Sequence, residues 1–251
     1  MVHLNGMGYE REQRVSFLQI DCNSCMTPSA LLSAMQEMAI LHSDSLGYTI
    51  DYMQEHGWFW SVVNWHLKLY RMPKYGEKII LQTWNDKFAR FQANRSFYIF
   101  DEQGNKLLDG ISRWVFMDME KRRPANVPAE MPPKYHSGKE AAIPDEKFMM
   151  PKEAEGELIA ERNVLVTRRD TDTNNHANNV KYLEWVMDDI PDEIYVGMAL
   201  KDVRIVYRKE CMRGDIVTVK TYARATETGK VIDSFLYDGE AVVAQVITAW
   251  E

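Results

Sequence analysis

Ten residues, Asp170-Thr-Asp172-Thr-Asn174-Asn175-His176-Ala-Asn178-Asn179, hold two carboxylates, four amides and an imidazole. No other stretch of the 251-residue chain is so dense in groups that can do chemistry. An imidazole moves protons near neutral pH. A carboxylate orients an imidazole or activates water. Amides position a nucleophile or donate to developing charge. The apolar positions Val180, Leu183 and Met187 follow at helical spacing, so the cluster sits just before a helix. The free N–H groups of a helix start can polarise a carbonyl or hold an oxyanion. Asn- and Asp-rich stretches before helices also serve as turns and caps, but a simple turn needs one or two such residues rather than seven.

Other routes to hydrolysis lack their residues. Gly110-Ile-Ser-Arg-Trp114 has no closing glycine for a nucleophile elbow. There is no H-E-x-x-H, phosphate-binding loop or dinucleotide G-x-G-x-x-G. Three cysteines, Cys22, Cys25 and Cys211, are too few for a disulfide framework. Cys22 and Cys25 have C-x-x-C spacing with no second pair to complete a zinc site; they read as two small residues before a helix. Hydrolysis by carboxylate, histidine and asparagine, with no metal and no cofactor, is the chemistry easiest to build.

The elements that position this cluster occur twice. In the first half, Arg14–Ile20 reads as a strand, Thr27-Pro28 opens a helix, and extended runs follow at 65–69, 78–84, 91–100 and 111–117. In the second half, strand 163–167 leads to helix 180–189. Strands then follow at 203–208, 216–223, 231–237 and 241–250. Arg71–Glu77 occupies the place of Lys209–Asp215, each with a Gly followed by an acid. Six of the nine prolines fall between Pro124 and Pro151, so 121–155 reads as a linker where neither sheet nor helix continues. The order implies an α+β unit used twice.

Composition bounds the partners. A net charge of -7 is a poor basis for broad nucleic-acid binding, although Lys121-Arg122-Arg123 and Arg168-Arg169 are local basic clusters. The N-terminus has no signal-peptide pattern and no apolar run could span a bilayer, so a cytoplasmic protein that does not enter membranes is expected.

Asp170-Thr-Asp-Thr-Asn-Asn-His-Ala-Asn-Asn-Val-Lys-Tyr-Leu-Glu-Trp185 closely resembles the signature of plant and bacterial acyl-acyl carrier protein (acyl-ACP) thioesterases. Tyr207-Arg-Lys-Glu-Cys211 resembles a second motif of that family. In the first half, Trp60–Trp65, Tyr70–Pro73, Gly76-Glu77, Trp114–Met117 and Arg122-Arg123-Pro124 resemble its strands. The short N-terminus is similar to that of a bacterial member. The resemblance implies two tandem hotdog repeats, each a helix wrapped by an antiparallel sheet. The expected division is an N-terminal hotdog at 1–130 with the acyl pocket, a linker at 131–155, and a C-terminal hotdog at 156–251 with the catalytic groups. It implies the catalytic set Asp172, Asn174, His176 and Glu210, with either Asp172 or Glu210 activating water. Cys211 matches a cysteine once proposed as nucleophile and ranks below those four. The partner implied is acyl carrier protein. Carriers are acidic, so Lys121, Arg122, Arg123, Arg168 and Arg169 are the expected docking residues. The fused pair implies a monomer or a homodimer. Two other readings use the same fold: an acyl-CoA thioesterase and a noncatalytic acyl-binding sensor. A sensor would be expected to have lost the polar set, which is present here.

Overall fold

The structure, a computed structural model, describes residues 2–4, 8–144, 150–173 and 175–251. It divides into two compact units, residues 1–64 with 72–146 and residues 65–71 with 147–251. Each unit is a hotdog, a helix packed on an antiparallel sheet.

The first unit contains β1 (Val2–Leu4), β2 (Gly8–Arg14), α1 (Pro28–Ser45), α2 (Ile50–Glu55), β3 (Trp58–Leu69), β4 (Lys78–Phe88), β5 (Gln92–Asp101), β6 (Lys106–Asp118), β7 (Arg123–Pro124) and α3 (Met131–Tyr135). Residues 65–69 of β3 belong to the second unit. The sheet runs β1-β2-β4-β5-β6, antiparallel throughout, with β7 on β6. Thr27 starts α1, its hydroxyl oxygen accepting the Ala30 N–H at 3.1 Å, and Pro28 at the first position forgoes a donor that has no partner there. Leu31, Leu32, Met35, Met38 and Ala39 then form the buried stripe set against β2 and β4. Each large side chain so buried contributes roughly 1.5–3 kcal/mol.

The second unit follows the same order: β8 (Glu157–Leu165), α4 (Asn179–Met187), α5 (Asp192–Tyr195), β9 (Leu200–Tyr207), β10 (Ile216–Ala225), β11 (Lys230–Asp238) and β12 (Ala241–Trp250). Its strands run β9-β12-β11-β10-β8, again antiparallel. α4 has half the length of α1. Pro191 disfavours helical backbone at the residue before it, and the chain turns there into α5. Among the described residues, no helix is long and apolar enough to cross a membrane.

Two segments read as strands from sequence are strands only in part. Residues 14–20 begin at the end of β2 and pass into a one-turn 3-10 helix at Phe17–Gln19. Residues 163–167 complete β8 and pass into another at Arg168–Asp170. In each turn the third residue reaches back to the capping residue: the Ser16 N–H donates to Gln19 Oε1 at 3.0 Å and the Thr167 N–H to Asp170 Oδ2 at 2.8 Å. The segment 121–155 read as a bare linker carries β7 and α3. Pro132 lies in the first turn of α3, where its missing N–H costs nothing.

Candidate active site

The polar stretch folds back on itself before α4. The Asp172 N–H donates to the His176 carbonyl at 2.8 Å, and the Asn175 N–H to the Asp172 carbonyl at 3.1 Å. The His176 N–H donates to Asp172 Oδ1 at 3.2 Å. Asn175 sits at φ 61°, a left-handed conformation that asparagine tolerates better than most residues. Two bonds anchor the loop to the rest of the unit. The Ala177 N–H reaches the Cys211 carbonyl at 2.8 Å, and the Asn178 N–H reaches the Asp170 carbonyl at 2.7 Å.

The first of those bonds carries Glu210 to the loop. Backbone bridging of His176 with Met212 fixes the two segments side by side. His176 Nε2 lies 3.3 Å from Glu210 Oε2. The imidazole is buried and the Glu210 carboxylate is half-exposed, so one member of the pair is enclosed by protein and the other faces solvent. Contacts between catalytic groups are commonly this long before substrate binds.

Asn178 caps α4, its Oδ1 accepting the Val180 N–H at 3.1 Å. The Lys181 N–H is taken by the Asn178 carbonyl at 2.8 Å. Among the described residues, the Asn179 N–H has no acceptor, leaving one first-turn donor open one residue beyond the loop's last anchor. Tyr207 fixes that residue, its hydroxyl donating to the Asn179 carbonyl at 2.8 Å.

Of the residues expected from sequence, Asp172, His176 and Glu210 are thus brought together with a helix start. Asn174 lies outside the described residues. Cys211 is fully buried, and burial raises its thiol above the usual range. A buried, protonated thiol is a poor nucleophile. Its segment is held by a side chain of α4, the Cys211 N–H donating to the Tyr182 hydroxyl at 3.2 Å. Burial likewise raises the Tyr182 and Tyr207 phenols, which therefore stay protonated as hydrogen-bonding groups. Neither tyrosine stood out in the sequence reading, although each lies inside one of the two motifs.

The basic residues differ in environment. Lys121 is committed to Asp118, through its backbone N–H at 2.8 Å and its ammonium at 3.0 Å. Arg122 and Arg123 are exposed in the first unit. Arg168 and Arg169 are exposed on the 3-10 turn that leads into the polar loop, with no acidic partner among the described residues.

Comparison with known proteins places the chain in a family. Residues 6–135 match the acyl-ACP thioesterase N-terminal domain, and residues 154–251 match the acyl-ACP thioesterase C-terminal domain. The chain is 25% identical to oleoyl-acyl carrier protein thioesterase 1, chloroplastic, of Arabidopsis thaliana, over 85% of this chain and 63% of that one. It therefore spans less than two thirds of that relative's length. In structure it is similar to a candidate oleoyl thioesterase of Lactobacillus plantarum (TM-score 0.90, 25% identity, 99% of this chain and 97% of that one). Its fold also matches the 12:0-ACP thioesterase of Umbellularia californica (TM-score 0.88, 23% identity, 100% and 99%). With both halves matched in order, the chain belongs to the acyl-ACP thioesterase family.

Proposed function

We propose that this chain hydrolyses the thioester of fatty acyl-ACP, releasing the free fatty acid and so ending its synthesis, in the cytoplasm. The observation that supports this most directly is the His176–Glu210 pair, 3.3 Å apart, beside a helix start with an open N–H. In this reading the thioester carbonyl lies at the start of α4, and the Asn179 N–H helps hold the oxyanion. A carboxylate, Glu210 or Asp172, accepts a proton as water adds to the carbonyl carbon. The carbon–sulfur bond then breaks, and the proton reaches the departing thiolate through His176. One water is consumed, and the products are the acid and the carrier thiol. Asn174 belongs to the same constellation by its place in the family motif.

The acyl chain is assigned to the first unit. Tyr48, Met53, Phe116, Met131 and Tyr135 form a buried cluster there, with the partly buried Trp58 and Trp60 packed against it. Such a surface suits an alkyl chain. The carrier is assigned to the exposed cations Arg168 and Arg169, with Lys121, Arg122 and Arg123 as the other candidates.

The test is fatty acid release from a panel of acyl-ACPs of graded chain length, with matched acyl-CoAs alongside. Saturable release from acyl-ACP with weak acyl-CoA turnover supports the proposal. Equal turnover of both removes the carrier assignment. Tight acyl binding with no release from either removes the hydrolytic role.

A further inference from the structure

The 3-10 turns that follow β2 and β8 are twins in backbone and opposites in surface. The Val15 N–H donates to the Glu77 carbonyl at 2.9 Å, as Val166 does to Asp215 at 2.9 Å. The Gly76 N–H returns to the Val15 carbonyl at 3.0 Å, as Gly214 does to Val166 at 2.9 Å. The Glu77 N–H closes a turn on the Lys74 carbonyl at 3.1 Å, as Asp215 does on Met212 at 3.1 Å. Ser16 and Thr167 cap the two 3-10 turns in the same way. These bonds align Phe17 with Arg168, Leu18 with Arg169 and Tyr75 with Arg213.

The first unit places apolar groups at this tip. Leu18 is 94% exposed, Phe17 73% and Tyr75 58%. The Phe17 and Tyr75 rings meet edge to face, with centroids 6.3 Å apart. Arg14, Lys74 and Lys78 flank the tip, Arg14 and Lys78 being register partners across β2 and β4. The second unit inverts the layout. Its tip carries the exposed Arg168, Arg169 and Arg213. The places of Arg14, Lys74 and Lys78 are taken by Leu165, Met212 and Ile216, with Leu165 and Ile216 register partners across β8 and β10.

The acids near the first tip are engaged. Glu12 pairs with Lys78 at 3.0 Å. The Glu77 carboxylate accepts the Lys74 N–H at 2.8 Å. Asp21 Oδ1 accepts the Asn23 N–H at 2.8 Å and the Cys25 N–H at 3.1 Å. Arg14 and Lys74 have no acidic partner among the described residues.

An apolar tip inside a basic collar matches the layers of an anionic bilayer surface. Leucine and phenylalanine enter the acyl boundary, tyrosine keeps its hydroxyl in the interface, and cations lie level with the phosphates. A second copy of the chain is a poorer fit, because a stable pair needs roughly 800 Å² per partner and three side chains supply a fraction of that. An acidic carrier suits the cationic tip of the second unit better than this one. We propose that Phe17, Leu18 and Tyr75 seat the first unit on an anionic lipid surface, peripherally and with no spanning segment. A search for bilayer-spanning runs is blind to a three-residue tip, so the proposal departs from the sequence expectation of no membrane contact. Fatty acid, the product on the thioesterase reading, is an amphiphile, and a surface-bound chain releases it where it dissolves.

The experiment is co-flotation of the full chain with vesicles of equal parts phosphatidylglycerol and phosphatidylcholine, and of phosphatidylcholine alone, without substrate. Binding to the anionic vesicles that weakens with salt is expected. Phe17→Ser with Leu18→Ser should lower the partition constant by at least about tenfold, with melting temperature and hydrolysis of soluble acyl-ACP unchanged. Arg14→Gln with Lys74→Gln should lower it by about tenfold on anionic vesicles only. An environment-sensitive dye on Leu18→Cys, in a Cys22→Ser background, should shift to the blue with vesicles, while the same dye on Arg169→Cys should not. The proposal is overturned if neither vesicle binds the chain, if the double serine variant binds as the wild type does, or if the dye at 18 stays in water. A raised KM for acyl-ACP in the serine variant with vesicle binding intact assigns the tip to the carrier instead. Sedimentation showing a dimer that this variant dissociates assigns it to a second copy, and either result ends the proposal. Because flotation needs no turnover, a chain that binds vesicles but releases no fatty acid loses only the thioesterase reading.

Discussion

The Cys211 backbone N–H donates to the Tyr182 hydroxyl, at 3.2 Å, so a residue of α4 fixes the segment that carries Glu210. The Cys211 thiol meanwhile is fully buried, and burial raises it. Cys211→Ala should therefore cost stability, on the order of 1–2 kcal/mol for a small cavity, while hydrolysis falls by no more than a few-fold. Iodoacetamide should label the exposed Cys22 well before Cys211 in the native chain. Turnover abolished in a folded Cys211→Ala protein would restore the thiol to the chemistry.

Tyr182→Phe tests the same contact from its other side. Losing the acceptor leaves the buried Cys211 N–H unpaired, a cost of about 1–3 kcal/mol. We expect a lower melting temperature and a reduced kcat, because Glu210 follows the segment. A variant of unchanged melting temperature and rate would mean that Tyr182 anchors nothing.

Removing the imidazole leaves Glu210 without its partner and the leaving thiolate without a proton. His176→Ala should lower kcat for acyl-ACP by about 100- to 10,000-fold, with the melting temperature near that of the wild type. The measurement is single-turnover fatty acid release. A rate within a few-fold of the wild type would end the assignment.

Asp233 and Gln245 make stability depend on pH. The Gln245 amide donates to Asp233 Oδ1 at 3.1 Å, while Asp233 Oδ2 and Gln245 Oε1 are buried with no partner among the described residues. Burial raises the Asp233 carboxyl from 3.8 to about 6. Between those values the folded chain binds a proton that the unfolded chain releases. Stability should fall as pH rises from about 4 to about 6 and then level off. Asp233→Asn removes the buried charge and gives Gln245 Oε1 a donor. It should raise stability at pH 8 by roughly 2 kcal/mol and much less at pH 4. Urea unfolding at both values checks this, and an equal effect at the two would show that the carboxyl is not the cause.

Charge reversal at Arg168 and Arg169 should raise KM for acyl-ACP and flatten its salt dependence, with kcat kept, since rim charges act mainly on association. The same variants should leave any acyl-CoA turnover untouched. If KM and its salt slope stay at wild-type values, the carrier docks elsewhere, and Arg122 and Arg123 are tested next.

Local chemistry made much of this legible in advance. Thr27-Pro28 starts α1 because a hydroxyl cap and a proline satisfy a helix start without help from distant residues. β12 occupies Ala241–Trp250 as read. The segments 14–20 and 163–167 read as strands run past the ends of β2 and β8, where Ser16 and Thr167 each start a 3-10 turn. Phe17 and Leu18 are exposed on the first of these turns. Alternation of residue types does not reveal which face a chain presents once it leaves the sheet.

The sequence by itself determined the duplicated order of elements, the crowding of proton-handling residues before α4, and the family motifs that carry the likeness. Those are properties of neighbours, set by caps, periodicity and residue type. The tertiary structure decided which distant groups meet. It sets Glu210 beside His176, buries the Cys211 thiol, and gives Asp172 the same bond as Asp21. Such pairings depend on how the segment after β9 docks against the loop, through backbone bonds between residues far apart in the chain. No local pattern specifies those bonds.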